Sequence, residues 1–383
     1  MKILVLSDHI SLDVKSGSSD VSYGIALSLS QLVNVDLITF MPNKIRKESI
    51  EKIGNLTIYR ISEKKIRFLK IKDLDYDVVI INSPRMFVNY ILSKKIKKPI
   101  FYVEHSSIYI ERFVNILKKD PKYYFFKLIE KFIHVKSDAI LFGSEYMRSM
   151  ANLSNKEIQK SFIIPFGLNK PLSFELTKRE EIEIYDKIRN EIDDGFKIIS
   201  SVRGLKPRTG VDNLIKAFKY LKGKKVKLYI GGSGPLYDDL NKLIKDLDLD
   251  NSVHLLGKIS DEMKFKLFSA SYFSVMPTVA LEGFGISILE SMYVGCPVVV
   301  TPIGGMYEFY VKNSLEELIT DTIESESIAK KISQLLEEPD KMEKLRTRST
   351  ELAKNRTYEN LSSTYLKEFS YILEICDSKK GKI

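Results

Sequence analysis

Cysteine is scarce: only Cys296 and Cys376 occur in 383 residues. Two thiols cannot build a disulfide framework, and this usage suits a reducing compartment. Cys296 follows a glycine and opens an apolar run, the setting of a small buried hydrophobe. No apolar run approaches the ~20 residues of a membrane-spanning helix. The run that starts at Met1 is too short for a signal peptide. A cytoplasmic location follows as an expectation. No Cys/His spacing fits zinc, and His9, His134 and His254 are scattered. The first strand–helix turn, residues 7–20, lacks Gly-x-Gly-x-x-Gly, and Gly231-Gly-Ser-Gly234 has a different spacing. That argues against a dinucleotide-dependent oxidoreductase. Zinc-finger, RNP and KH signatures are also missing, which disfavours specific nucleic-acid binding despite the basic charge. Neither a solenoid repeat nor a low-complexity segment appears. Glutamine occurs only at positions 31, 159 and 334, while Lys, Ile and Glu are abundant. This bias leans toward a thermophile, and a low-GC genome would give a similar one.

The net charge is +10 and unevenly placed. Residues 1–172 hold 28 Lys+Arg and 17 Asp+Glu, giving +11, and the remainder holds 32 and 33, giving −1. A basic half beside a neutral one suggests an anionic partner: a membrane surface, a pyrophosphate-linked acceptor or nucleic acid. The alternative is a solvated lysine-rich surface. Continuous apolar runs at 2–6, 35–40, 78–81, 100–103, 139–142 and 162–164 read as buried parallel strands. Helical patterns at 84–95, 110–136 and 144–152 lie between them. The turn-rich segment 165–171 is placed as a hinge. Alternation restarts with strands near 197–202, 226–230, 253–256, 273–276 and 297–300, and helices near 324–337, 340–354 and 359–375 close the chain. This βαβ order predicts an α/β protein of two doubly wound domains facing a cleft. The helical stretch 111–136 interleaves Lys122, Lys127 and Lys131 with Tyr123, Tyr124, Phe125 and Phe126. We read it as a core helix with a lysine rim, and a helix lying on a membrane is the alternative.

The most informative stretch is Glu282-Gly-Phe-Gly-Ile-Ser-Ile-Leu-Glu290. On one continuous helix its two carboxylates would stand ~12 Å apart on different faces. They converge only if the first lies in a loop and the second lies one turn inside a helix. The two glycines permit that entry, and a helix N-terminus attracts phosphate. Carboxylates accept hydrogen bonds from paired hydroxyls. The stretch therefore reads as a site for a molecule with both phosphates and sugar hydroxyls, such as a nucleotide sugar. Around it, in order, lie Ile230-Gly-Gly-Ser-Gly-Pro-Leu236, Val253-His-Leu-Leu-Gly-Lys-Ile-Ser-Asp-Glu262, Val275-Met-Pro-Thr278 and Gly295-Cys-Pro-Val-Val-Val-Thr-Pro-Ile-Gly-Gly305. Together these segments resemble the signature of retaining glycosyltransferase family 4, the glycosyl transferases group 1, of GT-B fold. The resemblance covers almost the whole chain and is densest from about residue 198 to 310.

The resemblance implies two Rossmann-like domains. The acceptor-side domain is 1–168, joined by a last helix, 359–375, that crosses back to it; the nucleotide-sugar domain is 169–358. It implies that Arg203 and a lysine about five residues on hold the donor diphosphate. Here the loop is one residue longer and Thr209 precedes Gly210, so Lys206 or Arg208 serves instead. Gly232 and Gly234 join the donor site by the same likeness. Glu290 would accept the ribose hydroxyls and Glu282 the hydroxyls of the transferred sugar. Backbone N–H groups of Phe284, Gly285 and Ile286 would meet sugar and phosphates. The loop 15–20 resembles the family's glycine-rich N-terminal loop, with Gly17 its remaining glycine. His105, after an apolar strand, stands where the family often has a histidine reaching the donor sugar. No metal, cofactor or enzymatic nucleophile is implied. Asp246-Leu-Asp248-Leu-Asp250 reads as a polar cap and turn rather than a metal motif. The expected partners are an NDP-sugar, a glycan or lipid-linked acceptor and an anionic membrane surface at the inner face. A sugar-nucleotide epimerase of the same fold is the alternative.

Overall fold

The computed structural model describes residues 1–14, 16–42, 47–63, 75–92, 98–105, 121–170 and 173–380. Lys15, the beginning of the predicted helix 110–136 and much of the lysine-dense 44–72 and 93–98 lie outside these. Contacts divide the chain into unit 1, Met1–Asn169 with Arg356–Ile383, and unit 2, Lys170–Asn355.

Unit 1 contains β1 Lys2–Ser7, β2 Asn34–Phe40, β3 Ser49–Ile53, β4 Leu56–Ile61, β5 Val78–Ile81, β6 Ile100–Glu104, β7 Ala139–Phe142 and β8 Ser161–Ile163. Their order in the sheet is β3-β4-β2-β1-β5-β6-β7-β8. All neighbours are parallel except β3 with β4. Ile3, Leu4 and Val5 of β1 and Val78, Ile80 and Ile81 of β5 are fully buried. Such continuous apolar runs are what a sheet covered on both faces requires. Each fully buried aliphatic side chain contributes about 1.5–3 kcal/mol. The β3–β4 hairpin was not foreseen. Four of the five β3 residues are exposed, and β4 alternates between buried and half-buried, so neither makes a long apolar run.

The chain returns to unit 1 at its end. Leu168 bridges to Thr357, and Tyr365, Phe369 and Ile372 of the helix Ser362–Lys380 are fully buried. Phe369 packs edge-on against Phe101 of β6 at 5.9 Å between ring centres.

Two readings need correction. The segment 15–20 is not a loop throughout: from Gly17 it is the first turn of the helix Gly17–Ser30, with Ser16 and Ser19 forming a reciprocal cap. The helix Pro121–Lys136 is also not a core helix of the expected kind. Tyr124, Phe125, Leu128, Phe132 and Val135 are exposed, and the polar Glu130 and His134 are buried beside Ile133.

Unit 2 contains β9 Lys197–Val202, β10 Val226–Gly231, β11 Val253–Gly257, β12 Phe273–Met276 and β13 Val298–Val300. The order is β11-β10-β9-β12-β13, with every pair parallel. Ile199, Leu228, Ile230, Phe273 and all of β13 are fully buried. The strand order reverses between β9 and β12. In open parallel sheets that reversal opens a crevice at the carboxyl ends of the strands, where ligands bind. This two-sheet α/β architecture is the GT-B fold.

Candidate functional site

The loops leaving β9 and β12 meet at this reversal in unit 2. Arg203 follows β9 directly, and its N–H continues the ladder to the Gly231 carbonyl at 2.9 Å. Its guanidinium donates to Thr278 Oγ1 at 2.8 Å and to Glu282 Oε2 at 2.9 Å. The side chain is only 7% exposed, and its Nε is buried with no hydrogen-bond partner. Burial pulls the Arg203 pKa below its ordinary value, with Glu282 opposing that and Arg208 adding to it. Arg208 reaches the same carboxylate at 3.9 Å and donates to the Leu281 carbonyl at 2.6 Å. Lys206 is exposed. Thr209 is buried, and its hydroxyl is spent on the Lys206 backbone, donating to the carbonyl at 2.6 Å. Of the cationic candidates in this loop, Arg203 and Arg208 converge on Glu282.

Glu282 is held by its backbone as well. Its carbonyl accepts from Gly305 N–H at 3.1 Å, and a Cβ on Gly304 would stand 2.3 Å from that same oxygen. Gly304 has φ +80°, so an alanine there would be both strained and in collision. Leu281, just before Glu282, adopts φ +50°, which is uncommon for a leucine. Its carbonyl is the one that Arg208 binds. The helix Ile286–Tyr293 begins at Gly285, which has φ +71° and makes no side-chain cap. The first-turn N–H groups, beginning at Ile286, therefore have no side-chain acceptor from the cap. Phe284 is buried edge-on against Phe309 at 5.5 Å between ring centres, so its side chain anchors the loop.

Glu290 lies one turn inside that helix. Its Oε1 accepts from Lys264 at 2.6 Å, and Lys264 also pairs with Asp261 at 3.1 Å. Burial works against the charge on Lys264, but Glu290 and Asp261 hold its pKa above that of an ordinary lysine. Lys264 and Thr278 were not assigned roles from the sequence. Asp261-Glu-Met-Lys264 signals only a local pair, and nothing in it points to a glutamate 26 residues away. Both Glu282 and Glu290 are thus committed to cations.

Gly232 and Gly234 serve the backbone. A Cβ on Gly232 would come within 1.8 Å of the Arg203 carbonyl, and one on Gly234 within 2.2 Å of the Leu205 carbonyl. They let the loop after β10 close on the loop that carries Arg203. The Asp246–Asp250 segment ends the helix Tyr237–Asp246 in a turn, with Asp248 at φ +51°. Two further candidates belong to unit 1. A Cβ on Gly17 would meet nothing within 4 Å. His105 follows β6, half-buried, its ring centre 5.9 Å from that of Phe166.

Residues 184–354 match the family model described as glycosyl transferases group 1. An uncharacterised glycosyltransferase of Methanocaldococcus jannaschii is 27% identical over 377 residues, covering 90% of this chain and 91% of that protein. The alpha-monoglucosyldiacylglycerol synthase of Streptococcus pneumoniae is 27% identical over 221 residues, covering 54% of this chain and 47% of the synthase. Among solved structures, the sucrose-phosphate synthase of Thermosynechococcus elongatus superposes with a TM-score of 0.74 at 16% identity, covering 98% of this chain and 99% of that one. The Anabaena protein HepE, in complex with UDP and glucose, gives a TM-score of 0.71 at 17% identity over 97% of this chain and 100% of its own.

Proposed function

We propose that this chain, which belongs to the group 1 glycosyltransferases, moves a sugar from a UDP- or GDP-sugar to a hydroxyl acceptor. In this reading the anomeric configuration is retained and no metal takes part in the chemistry. The observation that carries the proposal is the meeting of Arg203 and Arg208 on Glu282 beside the helix start at Ile286. Two guanidiniums and a helix start without a side-chain cap suit a diphosphate, and a carboxylate within their reach suits sugar hydroxyls. As the diphosphate leaves, its charge grows, and fixed donors in a half-buried site stabilise it without reorganising. Arg208 takes the role the family gives to a lysine. Glu290 accepts the ribose hydroxyls, with Lys264 fixing its orientation. The likeness to the family adds His105 toward the donor sugar. HepE, a solved neighbour of this fold, holds UDP and glucose, which supports a nucleotide-sugar donor.

For the acceptor, we favour a lipid-linked or polysaccharide glycan at an anionic membrane face. The support is the outward apolar face of the helix Pro121–Lys136, flanked by Lys127, Lys131 and Lys136, and the name of the diacylglycerol-linked relative. No helix among the described residues is long and apolar enough to cross a membrane.

A thermal-shift panel of UDP-, GDP- and ADP-sugars tests the donor. A ligand at 100 times its dissociation constant stabilises by ~2.7 kcal/mol, and no shift with any of them sinks the reading. NMR of the product tests retention, which an inverted linkage overturns. Product formed without acceptor identifies the epimerase instead. Activity lost to EDTA and restored by Mg²⁺ or Mn²⁺ contradicts metal-free chemistry. Equal, negligible sedimentation with neutral and anionic vesicles at low salt removes the membrane part.

A further inference from the structure

The helix Pro121–Lys136 buries its polar side. Leu128 and Val135 are 69% and 57% exposed, while Glu130 and His134 are 2% and 1% exposed. Four residues apart on a helix, those two share one face. The face meets Glu104, the last residue of β6, which is itself 1% exposed. His134 Nε2 stands 2.6 Å from Glu104 Oε2. One ligand atom from each of Glu104, Glu130 and His134 can be chosen so that all three lie within 4.8 Å of one another.

A hydrogen bond with His134 satisfies only one oxygen of Glu104. The other, Oε1, is buried and has no hydrogen-bond partner. A buried carboxylate oxygen without a donor is costly, and it calls for a bound species to use its lone pairs. The nearby Lys131 is already paired with a third buried carboxylate, Glu157, which also receives the N–H and hydroxyl of Ser154.

We propose that Glu104, Glu130 and His134 form a binding site for a divalent transition-metal ion of the zinc class. One imidazole and two carboxylates suit such an ion better than Mg²⁺ or Ca²⁺, which take all-oxygen shells. With metal–ligand distances of about 2.0–2.2 Å, ligand atoms on one ion stand no more than about 4.4 Å apart. Small side-chain rotations bring the cluster into that range. Uptake displaces the proton shared by Glu104 and His134 to solvent, and the ion takes up the Glu104 oxygen. Its role is structural: it ties the helix to the strand end that carries His105.

The test uses the full chain, stripped with EDTA, dialysed against Zn²⁺ and then against metal-free buffer. Mass spectrometry of the digest should find about one zinc per chain, and the melting midpoint should rise by roughly 5–10 °C at saturating Zn²⁺. Glu104→Gln and His134→Gln should lower the retained zinc at least about tenfold, the lower end of what losing even an outer-shell partner of a metal costs. Asp246→Asn with Asp248→Asn, in the acidic turn of unit 2, should leave it unchanged. Co²⁺ substitution gives a reading that needs no variant: intense visible bands of a low-coordinate site support the proposal. Retained zinc that is absent, or equal in His134→Gln with native circular dichroism, overturns it, as does a Co²⁺ spectrum identical to the aquo ion. The cluster is then a proton-held pair.

Discussion

Replacing Arg203 with alanine separates the two jobs of the site. In the free protein Arg203 is tied to Glu282 and Thr278, and its buried Nε has no hydrogen-bond partner. Alanine removes the charge-assisted bonds to a diphosphate. A hydrogen bond to a charged group is worth ~1.5–3 kcal/mol, which converts to roughly a 10- to 150-fold weaker dissociation constant. The same change leaves Glu282 with only Arg208, at 3.9 Å. Because Glu282 is 19% exposed, water shares its charge, so the stability cost is about 1–2 kcal/mol rather than the figure for a fully buried pair. Arg203→Lys keeps the charge without the planar fork and should fall between.

Glu282→Ala is the complementary probe. It removes an acceptor for sugar hydroxyls and frees Arg203 from its ion pair. Affinity for the plain nucleoside diphosphate should hold or rise, while affinity for the nucleotide sugar falls. Titration calorimetry with both ligands on wild type and the two variants measures this. If Arg203→Ala, with native circular dichroism, binds the diphosphate as wild type does, the assignment of Arg203 to phosphate is wrong. Parallel losses for both ligands in Glu282→Ala would remove that residue from the sugar subsite.

Three further outcomes follow from packing and charge. Gly304→Ala and Gly295→Ala share a left-handed backbone, at φ +80° and +84°, but only the first places a Cβ against Glu282. Both should lose about 1–3 kcal/mol of stability to strain, and only Gly304→Ala should weaken nucleotide-sugar binding in titration; equal binding in the two refutes the positioning role. Phe369→Ala empties a fully buried site in unit 1 and should cost about 3–5 kcal/mol by calorimetry, with nucleoside diphosphate affinity in unit 2 unchanged; a loss of that affinity would show the effect is not confined to unit 1. His254 is pushed down to about 4 by burial, with Lys187 adding to the effect. The unfolded chain takes up this proton near 6.5 and the folded chain only near 4, so stability present above pH 6.5 is lost as pH falls through that window. His254→Gln should flatten the fall in melting midpoint between pH 6.5 and 4, and superimposable curves would show that this residue does not cause it.

The parts of the fold legible in the sequence were those whose side chains face protein on both sides. β5 and β13 are buried throughout, and so are Ile3 to Leu6 of β1, so these positions had to be apolar and the run itself was the signal. The β3–β4 hairpin escaped because one strand faces solvent and its partner only alternates. The first turn of the helix Gly17–Ser30 escaped for another reason. Ser-Gly-Ser-Ser has little intrinsic preference for a helix, and the turn is fixed by the reciprocal cap of Ser16 and Ser19 and by the buried Ser19 and Ser22. The site divides in the same way. The convergence of a loop glutamate and a helical glutamate could be argued from Glu282 and Glu290 with two glycines between. The pairing of Lys264 with Glu290 could not, because it depends on two helices being laid side by side by the sheet beneath them.

The helix Pro121–Lys136 marks the limit of periodicity as evidence. A repeat of apolar residues shows that a helix has two faces; it does not show which one the protein covers. Here Tyr124, Leu128, Phe132 and Val135 make the obvious apolar stripe, and the expectation was that such a stripe turns inward. The face that turns inward instead carries Glu130, Ile133 and His134. Covering that face gains little from the hydrophobic effect and costs the desolvation of two ionisable groups, so something polar must compensate on the other side. Glu104 at the end of β6 supplies one hydrogen bond, to His134, and leaves one of its own oxygens without a donor. A chain that exposes an apolar stripe and buries a carboxylate has inverted the ordinary preference twice on one helix. The membrane face and the cation proposed above answer one inversion each: the first the stripe outside, the second the carboxylate within.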